Sequence, residues 1–192
     1  MPEFENRSFP LRFLQFSQID RRRKTKIMTK IKLSIGSIAG LLIVLAIGYY
    51  FYNRMTYAPD IALHEIKAVD LNNNPVDLSN SKNKTPLVVN FWSTKCEPCV
   101  EDFADFEKAS GKYRNQVNFA MISDEESAPI LEFKSTRLYP FYFLRSTRSF
   151  EDYSLGSTPA TYFYDTNGKL VSKILGAMQE QQIEKEIRKI IQ

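Results

Sequence analysis

The stretch Asn90-Phe91-Trp92-Ser93-Thr94-Lys95-Cys96-Glu97-Pro98-Cys99 carries an apolar run into a pair of cysteines. Upstream, Pro86-Leu87-Val88-Val89 extends the run, so residues 86–92 read as a short strand buried on both faces. Downstream, Val100, Phe103, Ala104 and Phe106 form the expected inner face of a helix from around Cys96 to Tyr113, with Glu101, Asp102, Asp105 and Glu107 outside or flanking. Pro98 suits the first helical turn, where its missing N–H costs nothing. A helix N-terminus has unpaired N–H groups and the positive end of the dipole, and both favour a thiolate over a thiol. Cys96 is therefore the expected nucleophile, and Cys99, one turn on, the expected resolving thiol.

Both cysteines of the chain lie in this motif, whereas a structural disulfide framework would scatter them. Two cysteines so close in sequence close almost no loop, so their use is chemistry rather than stability. Half a zinc site is the rival reading. Zinc normally takes four ligands, and the single histidine, His64, lies far from the pair, so no metal is expected. No cofactor is expected beyond a redox-active Cys96–Cys99 disulfide.

Outward from the motif, residues 66–76 read as a β-hairpin turning at Asn72-Asn73-Asn74-Pro75. Residues 117–122 form a second strand. Asp124-Glu125-Glu126-Ser127 opens a helix to around Tyr139, with acidic residues where the helix dipole favours them. Residues 141–144 are a strand candidate. Residues 158–165 form a strand led by a proline, Asn167-Gly168 signals a hairpin turn, and residues 169–175 return. Ile183, Ile187 and Ile190 recur at i, i+4 and i+7 along a last helix over residues 179–191. The order hairpin, β, α, β, α, β, β, α implies an α/β domain, a central mixed sheet flanked by helices. Aromatic residues at 139–143 and 150–153 read first as core and second as the lining of a substrate groove.

The beginning of the chain is of another kind. Leu33 to Tyr52 is twenty residues without a charged side chain, which at ~1.5 Å per residue is the thickness of a bilayer core. Tyr49-Tyr50-Phe51-Tyr52 fits an interfacial aromatic belt. Residues 1–56 carry ten Lys/Arg and three Asp/Glu, and residues 57–192 carry sixteen and nineteen. The basic charge belongs to the leader, so the folded part lacks the basic face that a nucleic-acid partner requires. By the positive-inside rule, residues 1–32 are a basic cytoplasmic tail, 33–52 a single-pass transmembrane anchor, 53–62 a tether and 63–192 a domain on the extracytoplasmic side of a bacterial inner membrane. Met28 offers an alternative start. A cleaved signal peptide ending near Ala46-Ile47-Gly48 and a buried core helix are the rivals to the anchor.

The quoted stretch resembles the active-site segment of the thioredoxin superfamily, in particular its membrane-anchored, extracytoplasmic TlpA/ResA-like branch. Gly156-Ser157-Thr158-Pro159-Ala160-Thr161-Tyr162-Phe163 resembles that superfamily's cis-proline segment. The resemblance covers residues 63–191 and implies a thioredoxin-like fold, with Pro159 as the cis-proline facing the Cys pair. It further implies a substrate-binding set of Trp92, Glu97, Pro98, Thr158 and Pro159, and a proton-transfer role for Asp102. Asn90 departs from the buried Asp of thioredoxins, and Lys95 from their Trp. Lys95 and Glu97 act on the Cys96 pKa in opposite directions. The implied activity is thiol–disulfide exchange outside the cytoplasm, expected to run as reduction of protein disulfides. A membrane-embedded electron donor is the expected partner, and apocytochromes c are possible clients by resemblance. An oxidase or isomerase using the same pair, and a peptide-binding module without turnover, are the alternatives.

Overall fold

A computed structural model of the protein describes residues 37–52, 57–79, 85–136 and 138–192. The expected basic tail, the Met28 start and the first residues of the tether lie outside the described residues. The chain divides into two units, Met1–Tyr52 and Asn53–Gln192. In the first, residues 37–52 form a helix, α1, on which Ile38, Leu41, Leu42, Ile43, Val44 and Leu45 are all exposed. Among the described residues, no helix is long and apolar enough to cross a membrane. Residues 33–36 of the apolar run lie outside the described part.

The second unit is built on one seven-stranded mixed sheet of order β2-β1-β5-β4-β3-β6-β7. Its elements are β1 (Ala68–Val69), β2 (Pro75–Val76), β3 (Leu87–Phe91), α2 (Glu97–Lys112), β4 (Asn118–Ser123), α3 (Ser127–Ser135), β5 (Tyr142–Ser146), β6 (Ala160–Tyr164), β7 (Leu170–Leu175) and α4 (Glu180–Ile190). The strand candidate at residues 141–144 joins the sheet as β5, one strand more than the expected order. β3, β4 and β5 run parallel, and β6 lies antiparallel to β3. The continuous apolar run of β3 is buried at every position, as a central strand covered on both faces must be. Gly168, at φ +74°, turns the β6–β7 hairpin, and a side chain there would meet Leu63 as well as the strained backbone.

Side chains alternate between two cores. Val88, Phe119, Met121, Phe143 and Phe163 point to one face, where the buried side chains of α2, α3 and α4 meet them. Val89, Phe91, Ala120, Leu144 and Tyr162 point to the other. Among the described residues no α-helix contributes to that second face. Ala58, Ile61, Leu63 and Ile66 and the segment Phe150–Leu155 cover it instead. The expected tether is therefore docked over part of its length. Tyr162 donates its hydroxyl hydrogen to the Pro59 carbonyl at 2.9 Å, Tyr164 donates to the Ile61 carbonyl at 2.8 Å, and Lys173 pairs with Asp60 at 2.7 Å.

Two helix expectations need correction. On α2, Ala104 is exposed and Asp102 is buried, because α4 and the loop before it cover the flank that carries Cys99, Asp102, Phe106 and Ala109. α3 ends at Ser135 rather than Tyr139, and Tyr139, Phe141 and Phe143 join Trp92, Phe103 and Phe133 in an aromatic cluster. The aromatic segments are core apart from Tyr142, which is exposed.

Candidate active site

β3 delivers its chain to the site through a short turn. The Trp92 N–H donates to the Ile122 carbonyl at 2.9 Å, extending the β3–β4 ladder by one residue, and the Cys96 N–H donates to the Ser93 carbonyl at 3.1 Å. Cys96 is the N-cap of α2, and its carbonyl accepts the N–H groups of Cys99 and Val100 at 3.0 and 3.2 Å. The two cysteines are joined in a disulfide with Cα atoms 5.2 Å apart. Cys96 is half-buried and Cys99 wholly buried. This exposure matches the division of labour between an attacking and a resolving sulfur. Glu97 and Pro98 are exposed on the first turn of α2, beside the pair and open to a partner.

The second piece of the site arrives on β6. The Thr158–Pro159 peptide bond is cis, Pro159 is buried, and Thr158 is half-buried. Ala160, the next residue, pairs with Phe91 at the end of β3. The proline therefore leaves the sheet at the same end as the Cys96 turn. The Pro159 carbonyl accepts the Gly176 N–H at 2.8 Å, which ties the segment to the start of the loop leading to α4.

Two polar side chains close to the motif in sequence, Asp102 and Asn90, are buried. Asp102 is three residues past Cys99 on the same helix face, only 4% exposed. Its Oδ2 accepts the Met178 N–H at 3.3 Å, while Oδ1 is buried with no hydrogen-bond partner. Burial pushes its carboxyl up to about 7, and the nearby Asp105 adds to the rise against the opposing Met178 bond. Asn90 is also fully buried, and its Nδ2 donates to Thr161 Oγ1 at 3.0 Å with Oδ1 left unpartnered. Trp92 is wholly buried against Phe103, Phe133 and Phe143. It is a core side chain that supports the turn from within rather than a surface for substrate.

One participant escapes the sequence reading. Glu125, assigned to a helix start, instead reaches the loop before Cys96. Its Oε2 accepts the Thr94 N–H at 2.7 Å and the Ser123 hydroxyl at 3.0 Å, and its Oε1 accepts the Thr94 hydroxyl at 2.7 Å. Burial alone would push this carboxyl up, but the Thr94, Ser123 and Ser93 hydrogen bonds outweigh it and hold it below the usual carboxylate range. Its neighbour Asp124 accepts the Phe150 N–H at 3.0 Å, so neither side chain caps α3. The signal available in the sequence was positional: strands β3 and β4 are adjacent and parallel, so the loops that follow them emerge side by side.

A nucleophilic sulfur at a helix N-terminus, a shielded resolving sulfur and a cis-proline segment at the same end of the sheet make a site for thiol–disulfide exchange, and the protein is an oxidoreductase of the thioredoxin-like class. The chain belongs to the Redoxin family, whose profile matches residues 55–191. It is 30% identical over 125 residues to the thiol-disulfide oxidoreductase ResA of Bacillus cereus, a match spanning 63% of this chain and 72% of that protein. It is 27% identical over 169 residues to the thioredoxin-like protein YneN of Bacillus subtilis, spanning 78% of this chain and 95% of that one. A solved thiol:disulfide interchange protein of the thioredoxin family from Chlorobium tepidum superposes with a TM-score of 0.58 at 18% identity, over 70% of this chain and all of that one, and it shares the fold.

Proposed function

We propose that the protein reduces protein disulfides on the extracytoplasmic side of a bacterial inner membrane, held there by residues 33–52 and re-reduced by a membrane-embedded electron donor. The direction of electron flow rests on one observation, the carboxylates set around the cysteine pair. Glu97 adjoins Cys96, and the Glu125 carboxylate sits on Thr94 two residues before it. Anions near a thiolate disfavour it, so the reduced pair is destabilised relative to the disulfide and gives up its electrons readily. Lys95 acts against this with a single charge.

In the proposed cycle the Cys96 thiolate attacks one sulfur of a client disulfide. A mixed disulfide forms and one client thiolate leaves. The Cys99 thiolate then attacks the Cys96 sulfur, the second client thiolate leaves, and the Cys96–Cys99 bond closes. Two electrons pass to the client. Asp102 is suited to take the proton that Cys99 sheds, since a carboxyl titrating near neutrality can both hold and release one. Thr158 offers its backbone groups to the client, with the cis Pro159 fixing their direction. Apocytochromes c awaiting haem attachment are a client class consistent with this reading.

Support for the anchor comes from the twenty-residue uncharged run and from the excess of Lys/Arg before it. Equilibrating the Cys96/Cys99 pair with glutathione or dithiothreitol buffers tests the direction. A potential near about −270 mV is expected, and one near about −120 mV would make the protein an oxidant. Labelling of whole cells with a membrane-impermeant thiol reagent tests the location: after mild reduction Cys96 should react, and protection from the reagent would place the domain inside.

A further inference from the structure

We infer that Glu125 is a positioning residue of the redox centre, holding the Ser93–Lys95 loop so that Cys96 stays at the N-terminus of α2. The inference rests on the exchange chemistry of the Cys pair. It goes further by assigning a residue 29 positions away in sequence to the control of that pair's reactivity.

The geometry is that of a two-point clamp. A carboxylate has two oxygens, and here both are given to one residue. Oε2 takes the backbone N–H of Thr94 and Oε1 takes its hydroxyl, each at 2.7 Å. Two bonds to one residue fix its orientation as well as its position, and hydrogen bonds to an ionised acceptor are about twice as strong as neutral ones. The clamp is itself anchored. Ser123, the last residue of β4, donates its hydroxyl to Oε2 at 3.0 Å and receives the Glu125 N–H on the same oxygen at 3.2 Å. The central sheet thus extends a rigid arm to the loop.

Thr94 stands within the turn that closes from the Cys96 N–H to the Ser93 carbonyl. That turn sets the extended backbone of Cys96, φ −90° and ψ 96°, which the N-cap position demands. The Ser93 hydroxyl also hydrogen-bonds to the Glu125 carboxylate while accepting the Lys95 N–H at 3.2 Å, so the ties from this loop to the sheet converge on Glu125. Releasing Thr94 would therefore let Cys96 drift from the helix terminus, and its thiolate would lose part of the stabilisation that the terminal N–H groups provide.

Glu125 also brings a negative charge, which acts on Cys96 in the opposite sense, so its replacement alone mixes two effects. Replacing Thr94 separates them, because Thr94→Val removes one arm of the clamp and leaves the charge. The experiment uses the full-length chain, reduced, with iodoacetamide alkylation of Cys96 followed by mass spectrometry across a range of pH. Thr94→Val is expected to raise the apparent pKa of Cys96 and slow its alkylation near neutrality about threefold, the size of a helix-terminus effect. Thr94→Ser, which keeps the hydroxyl, should track the wild-type profile. In a Glu125→Ala background, which lacks both acceptors, Thr94→Val should change the profile no further. The inference is overturned if Thr94→Val lowers the melting temperature while leaving the Cys96 profile in place, or if its effect is undiminished in the Glu125→Ala background. A wild-type Cys96 that reacts but never exchanges with a disulfide would fail the redox assignment instead, a result distinct from either.

Discussion

A buried carboxyl on the same helix face as a resolving cysteine couples proton transfer to stability, and Asp102 shows how. Its pKa is raised from the ordinary value of 3.8 to about 7 by burial. Between those values the folded chain holds a proton that the unfolded chain has lost, so stability falls as pH rises through this window and levels off above it. Asp102→Asn removes the dependence. Urea unfolding should show the variant gaining on the wild type from pH 4 to pH 7, by at most about 4 kcal/mol at 1.4 kcal/mol per unit. The same substitution should remove an inflection near neutrality from the pH–rate profile of disulfide exchange; an unchanged profile would leave Asp102 with a structural role only. The proton-transfer role came from resemblance, but the burial that raises the carboxyl could not be read from position 102 alone. The residue sits at a flank of the helix's apolar stripe, and its burial depends on a backbone N–H at Met178, 76 positions later.

At the scale of elements, the strands and the last helix were legible because their patterns are dictated by local burial. The unbroken run of β3, the Asn167-Gly168 turn and the 183/187/190 stripe each require only that one face be covered, and Ile183, Ile187 and Ile190 are all buried. Ile187→Ala should accordingly cost about 2–5 kcal/mol in a denaturant titration. The end of α3 and the docking of residues 58–61 were not legible. The first is decided by an aromatic cluster that draws Tyr139 away from the helix, and the second by two tyrosine hydroxyls on β6, 103 positions downstream of the carbonyls they bind. Tyr164→Phe leaves the buried Ile61 carbonyl without that donor. A loss of about 1 kcal/mol is expected, with faster proteolysis between residues 57 and 66 as the sharper readout.

For the molecule as a whole, the redox state and the folding equilibrium are one thermodynamic cycle. If the surrounding carboxylates disfavour the reduced pair only when the chain is folded, the folded protein must prefer its disulfide more than the unfolded chain does. The oxidised protein should then unfold at higher denaturant than the reduced one, and a more stable reduced form would contradict the proposed direction of electron flow. The Cys-x-x-Cys pair was foreseen from its local chemistry, and the cis-proline from the resemblance of residues 156–163 to a known segment. That they face one another was an implication of the resemblance; the structure supplies its physical cause, the pairing of Phe91 with Ala160. The Cys96 sulfur and the cis-proline are thus two jaws mounted on a single main-chain rail, and their alignment is owed to backbone ladders that side-chain replacement leaves alone. Sequence drift across the core can proceed a long way before the jaws misalign. A one-residue insertion within β6 would turn every side chain beyond it to the wrong face and shift the proline out of line at once.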